Sequence, residues 1–276
     1  MMRWVALVLF MVLAGAGLGA VWAENGAEKS SEPTSEQAGV RVVYDMSGIP
    51  LELRVDGRGV VALDGLPYPG QVFYDSKGAV VYYQHPEEAE WIKVPPTALA
   101  KVFVEAKITA GPAWQPWQGK PTKRWDMQVK RDNGDGVMVD ATCDQWFSSQ
   151  PLAAQAGLNV GDLVRILAAV QWLNAGAVPE PCEKPLMTLA QAEEIGLPVL
   201  FTGPNGRWQL QELAREAVED ITLPEAQLVD DNVRLRLLLV QYSPDERVAL
   251  LKKFEGLPVG QQVEAIGRML VEESLP

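Results

Sequence analysis

The stretch Leu158-Asn-Val-Gly-Asp-Leu-Val-Arg-Ile-Leu-Ala-Ala-Val-Gln-Trp-Leu173 decides how the chain is read. Its apolar residues run around most of a helical circumference, interrupted only by Asp162, Arg165 and Gln171. A surface helix carries a single apolar stripe, so this one is predicted to be buried. Asn159 suits the N-cap, Asp162 the first turn, and Gly176 a stop near the far end. A buried helix needs surfaces to lie against, and both flanks supply strands.

Upstream, Val40-Arg-Val-Val-Tyr44, Leu51-Glu-Leu-Arg-Val55, Gly59-Val-Val-Ala-Leu63, Gln71-Val-Phe-Tyr74, Ala79-Val-Val-Tyr-Tyr83 and Trp91-Ile-Lys-Val94 are short alternating segments. Turn residues separate them, notably Asp56-Gly-Arg-Gly59 and Asp64-Gly-Leu-Pro-Tyr-Pro-Gly70. Lys101 to Thr109 reads as a longer strand, and Asp132-Asn-Gly-Asp-Gly136 as the tip of a hairpin between Trp125–Arg131 and Val137–Thr142. Strands joined this closely are antiparallel and form a meander. Downstream, Leu197–Phe201 and Trp208–Leu213 flank Gly203-Pro-Asn-Gly206 as a further hairpin. The pattern predicts an α+β fold with a helical block inserted at 143–182.

The last residues are helical in pattern. Asp231 to Gln241 is ambiguous and leans to helix. Ser243-Pro-Asp-Glu246 is a capping box with proline at the first helical position, followed by Val248, Leu251 and Phe254 on one face and a stop at Gly256. Val263, Ile266, Met269 and Leu270 mark a second helix, and the two are expected to pair as a helical hairpin.

The other end carries an export signature. Arg3 precedes the apolar run Trp4–Leu13, and a small-residue tract ends at Val21-Trp-Ala23, the expected cleavage site, with Leu18-Gly-Ala20 second. An uncleaved anchor is the rival reading, because Trp4 to Ala23 could span a bilayer. With no cysteine near the junction, the sequence argues against a lipid-modified N-terminus. Residues 24–38 are rich in Ser, Glu and Pro without apolar periodicity, and read as a disordered tether. The expected organisation is signal peptide 1–23, tether 24–38, β domain 39–223 and C-terminal helical region 224–276, in the periplasm or secreted.

The net charge of −12 becomes one unit more negative once Arg3 is removed. Such a surface repels nucleic acid and anionic head groups and argues against both as partners. Hydrophobic residues make up 47% of the chain, enough for a sizeable core.

Cys143 and Cys182 are the only two cysteines. In an exported chain two cysteines are expected to pair, and closing a loop of this size stabilises by about 4 kcal/mol in the chain-entropy account. Free thiols or a metal pair are the alternatives, but a metal would need further ligands and His85 is the only histidine. His85 itself, followed by Pro86 and three glutamates, reads as a solvated turn residue. No nucleophile elbow, dinucleotide loop or Walker loop is present, and Arg131 occupies the place of the first acidic ligand in a calcium-loop reading of Asp132–Gly136. No catalytic constellation and no cofactor or metal site is therefore expected.

Seven tryptophans follow Ala23. On one reading they fill the core. On the other, Trp125, Trp146 and Trp172 line an apolar cavity between sheet and helices, and Trp114 and Trp117, in the proline-containing loop Ala113-Trp-Gln-Pro-Trp117, form its rim.

Signal, acidic tether, antiparallel meander and helical block together, with the phrase Val80-Val-Tyr-Tyr…Trp91-Ile-Lys-Val-Pro95, resemble the bacterial outer-membrane lipoprotein-carrier superfamily, more closely its members of unknown function. The resemblance covers about Val40 to Leu223 and includes no diagnostic motif. It implies an open β half-barrel closed by helices over an apolar groove, and transfers no functional residue. Two functions follow as expectations. One is non-enzymatic binding of an acyl chain, lipoprotein or other apolar ligand. The other is a structural or interaction module with a filled core and a helical tail that docks a partner. A cavity of several hundred Å³ favours the first, an exposed apolar stripe on the tail the second.

Overall fold

The computed structural model describes residues 38–100, 104–132, 138–175, 185–186, 189–203 and 206–274. Six strands run first as a meander: β1 (Ala38–Met46), β2 (Ile49–Val55), β3 (Val60–Asp64), β4 (Gln71–Asp75), β5 (Val80–Gln84) and β6 (Trp91–Val94). Each is antiparallel to the next. After the one-turn helix α1 (Pro96–Leu99), three long strands form a second meander, β7 (Val104–Trp117), β8 (Lys120–Asp132) and β9 (Met138–Ser149). Helices α2 (Gln150–Ala156) and α3 (Val160–Ala175) follow, then the two-residue strand β10 (Pro185–Leu186) and helix α4 (Leu189–Ile195). The hairpin β11 (Leu197–Gly203) and β12 (Gly206–Ala217) then joins the two meanders, β11 pairing with β9 and β12 with β1. Strand β13 (Ala226–Leu228) and helices α5 (Asp231–Leu239), α6 (Pro244–Lys253) and α7 (Val259–Ser274) complete the chain.

The result is a curved sheet of thirteen described strands in the order β10-β7-β8-β9-β11-β12-β1-β2-β3-β4-β5-β6-β13. It is antiparallel except at its two edges, where β10 and β13 run parallel to β7 and β6. The α+β expectation holds. Register shifts leave an extra residue in β12, β7, β9 and β11, and a bulge of this kind bends its strand and adds twist.

Alternation places Val42 and Tyr44, Leu51 and Leu53, Val72 and Tyr74, Val81 and Tyr83, and Ile92 and Val94 in one buried cluster. Helix α3 supplies the facing layer with Leu163, Ile166, Ala169, Val170 and Leu173. Burial of each such side chain contributes about 1.5–3 kcal/mol for the larger residues. As expected, α3 starts at Asn159, whose Oδ1 accepts from the N–H groups of Gly161 and Asp162 at 2.8 and 3.2 Å. The Asp162 carboxylate reciprocates by accepting from the Asn159 N–H at 2.9 Å.

Several expectations are corrected. The helical block begins at Gln150, because β9 continues to Ser149. Trp146 and Phe147 extend that strand by pairing with β8 on one side and β11 on the other. Ala113–Trp117 is strand, the end of β7, rather than a loop. Register shifts between Ala110 and Ala113 and between Trp114 and Trp117 absorb Pro112 and Pro116, the positions at which a residue without an N–H is tolerated in a sheet. His85 is buried, with its Nδ1 accepting from the Glu87 N–H at 3.2 Å. The acidic loop after it is drawn onto the C-terminal helices, where Arg247 pairs with Glu87 at 3.1 Å and Arg236 lies 3.9 Å from both Glu88 and Glu90.

The C-terminal hairpin is also rearranged. Helix α7 packs chiefly along α5, with Val263 and Ile266 sealed against Leu238. Helix α6 has the capping box, Ser243 donating its N–H and hydroxyl to Glu246 at 2.8 and 2.6 Å. It buries Leu250 and leaves Val248 and Leu251 66% and 41% exposed. The Asp231–Gln241 segment is helical, as α5, capped by Asp230 through the Val233 N–H at 2.8 Å. Cys143 falls on β9, while its side chain and Cys182 lie outside the described residues, as do Gly176 and the hairpin tip 133–137.

Candidate functional site

Cross-strand register assembles an aromatic row that no local pattern announces. Met46 on β1 is paired with Trp208 on β12, Trp208 with Phe201 on β11, Phe201 with Trp146 on β9, and Trp146 with Trp125 on β8. Directly opposed residues share a face of the sheet, so the five side chains form one band across five strands. The ring centroids of Trp146 and Phe201, and of Phe201 and Trp208, are both 5.9 Å apart, within the range for favourable aromatic contact.

Helix α3 crosses this band without closing on all of it. A cavity of about 380 Å³ remains, floored by Met46, Trp208, Phe201 and Trp146 together with Tyr44 and Pro198. Val160, Leu163, Val164, Leu167 and Gln171 of α3 form its roof. Pro67 and Tyr68, from the loop between β3 and β4, complete the wall. None of these residues is charged. The Tyr44 hydroxyl donates to the Pro198 carbonyl at 2.8 Å, and burial pushes its pKa well above the usual tyrosine range, so it stays neutral. Such a surface offers apolar contact and aromatic faces, with the Tyr68 hydroxyl and the Gln171 amide as polar groups beside Tyr44.

Of the residues expected to line the site, Trp146 does. Trp125 is one position further along the band, packed with Met127, Val129 and Ile195, with the Lys123 ammonium 4.6 Å from its ring centre. Trp172 is covered by the Arg234 guanidinium of α5 at 4.1 Å. Trp114 and Trp117 are half-buried against the main core, Trp114 with its ring centre 4.4 Å from that of Phe147. Neither reaches the cavity rim, which Pro67 and Tyr68 occupy instead. Phe201 and Trp208 were missed, although a signal existed: they stand equally far from the turn at 203–206, so a hairpin there must set them opposite each other.

A second depression, of about 400 Å³, lies among Arg54, Phe73, Glu216, Glu219 and Asp220. Its mixed charges resemble an ordinary solvated surface. Among the described residues, no group of three or more His, Cys, Asp or Glu is placed to hold a metal ion, and no single helix is long and apolar enough to cross a membrane.

The fold and site together define an α+β protein whose sheet, antiparallel except at its edges, holds a buried helix over an uncharged, aromatic-floored cavity. Comparison with protein-family models, curated proteins and solved structures finds no match to the chain.

Proposed function

We propose that the protein is a non-enzymatic component of the bacterial cell envelope that binds an acyl chain, alone or as part of a lipid or lipoprotein, in the cavity beneath α3. The observation that carries this reading is the charge-free cavity between α3 and the row Trp146–Phe201–Trp208–Met46. Its 380 Å³ falls at the lower end of the range for small-molecule sites. About eight buried methylenes would contribute roughly 6 kcal/mol before the cost of immobilising the ligand. The export signature and acidic tether support an envelope location. The strand order supports an open half-barrel: β10 and β13 stand at opposite ends of the sheet rather than meeting. That arrangement fits the likeness to the lipoprotein-carrier superfamily.

A second reading, a partner-docking module, is favoured by the exposed Val248, Leu251 and Leu257 around α6. Titration with lauric acid separates the two. Binding beneath α3 shifts the emission of Trp146 and Trp208, and Trp146→Phe with Trp208→Phe abolishes most of the change. An emission unaffected by lauric acid up to its solubility limit removes the ligand-binding reading and leaves the docking one.

A further inference from the structure

The loop Gly65-Leu-Pro-Tyr-Pro-Gly70 reaches the cavity with Pro67 and Tyr68. It leaves and re-enters the sheet at two glycines with φ of +87° and +126°, conformations that residues with a side chain adopt only under strain. A Cβ on Gly65 would stand 1.9 Å from the Pro50 carbonyl oxygen, and one on Gly70 2.4 Å from that of Gln84. Between these pivots, Pro67 and Pro69 fix two φ angles and stiffen the span. A stiff segment between two glycines moves as a unit, because the glycines absorb the backbone rotation.

The segment is held near its far end by the Tyr83 hydroxyl, which donates to the Pro69 carbonyl at 2.7 Å. The same hydroxyl lies 2.9 Å from Oδ1 of Asn174 in the last turn of α3. A phenol has one proton, so the two oxygens compete for it. The Asn174 amide is oriented by its own Nδ2 donating to the Val170 carbonyl at 2.8 Å. Its backbone carbonyl accepts from the Gln241 side chain, just beyond α5. Tyr83 therefore stands between the cavity wall and the seam where α3 meets the C-terminal helices.

We propose that loop 65–70 is the gate of the cavity, hinged at Gly65 and Gly70 and latched by the Tyr83 hydroxyl, which frees Pro69 when its proton turns to Asn174. The gate rests on the binding reading above for its purpose. An acyl chain enters beside Tyr68, and the latch sets how fast it enters and leaves rather than how tightly it is held.

Tyr83→Phe removes the hydroxyl and keeps the ring on which Gly70 packs. Tyr74→Phe, which also removes a buried hydroxyl facing α3, is the control. In hydrogen exchange of the ligand-free protein, Tyr83→Phe should speed residues 65–70 about fivefold, the population shift expected from losing one hydrogen bond, and Tyr74→Phe should not. In stopped flow with a dansyl-labelled undecanoic acid, Tyr83→Phe should raise association and dissociation rates together, about fivefold each, leaving equilibrium affinity nearly unchanged. Unchanged exchange in 65–70 overturns the gate. Probe binding at rates insensitive to Tyr83→Phe overturns the gate alone. A wild-type protein that does not bind the probe overturns the binding reading and the gate with it.

Discussion

The Tyr74 hydroxyl donates a 2.6 Å hydrogen bond to the Asp162 carboxylate, tying β4 to the first turn of α3. Arg165 Nη1 donates in turn to the Tyr74 oxygen at 3.1 Å. The sequence alone casts Asp162 as a residue that favours the helix N-terminus. In the fold it is also the polar anchor that sets the helix against the sheet. Tyr74→Phe strips a donor from a buried carboxylate and should cost about 1–3 kcal/mol. Urea denaturation measures it, and a loss below about 0.5 kcal/mol would show the contact to be incidental.

Helix α3 itself should tolerate charge unevenly. Ile166 is fully buried in the main cluster, whereas Leu163 borders the cavity. Ile166→Asp should cost about 4 kcal/mol or more by burying an unpaired charge. Leu163→Asp should be destabilising by less, because the cavity admits water to its carboxylate. Equal and small losses in thermal denaturation would contradict the placement of α3.

Acid should act partly through Asp56. Its carboxylate accepts from the backbone N–H groups of Arg58, Val60 and Ile221 at 2.9, 2.9 and 3.0 Å, and from the Arg58 guanidinium. Burial raises the pKa of this group, but the hydrogen bonds outweigh it and hold the carboxyl below its ordinary value. The folded state therefore binds the proton more weakly than the unfolded chain. The stabilisation is complete above about pH 4, the ordinary aspartate value, and fades as pH falls through the lower folded one. Asp56→Asn should be less stable than wild type at pH 7 and lose less on acidification to pH 2.5. Parallel stability curves for the two proteins would refute this.

Cys143 and Cys182 are expected to be bonded. The unfolded, unreduced protein should take up no maleimide, and reduction should lower the melting temperature, consistent with about 4 kcal/mol for a loop of this length. Labelling of both thiols without reductant would exclude the bond.

What was legible in the sequence was local. The apolar circumference of 158–173 marked the buried helix, turn residues marked the first meander, and Ser243–Glu246 marked a helix start. The cavity was not legible, because its floor is chosen by register. Trp146 meets Phe201 through a strand pairing between β9 and β11 that crosses the whole helical block. Bulges in β7 hid a strand behind Pro112 and Pro116. The partner of α7 was misread for a similar reason. Its apolar face could pack on α5 or α6 equally well by pattern, and the buried Leu238 decides for α5.

The central claim, that an acyl chain occupies the space beneath α3, is tested most directly by native mass spectrometry of the protein loaded with lauric acid. Leu167→Trp, which fills the cavity from its roof without touching the fully buried cluster, serves as the comparison. The account predicts a one-to-one lauric acid adduct on the wild-type protein that is lost or at least tenfold weaker in Leu167→Trp. No adduct on the wild type, or an equal adduct on both proteins, would contradict it.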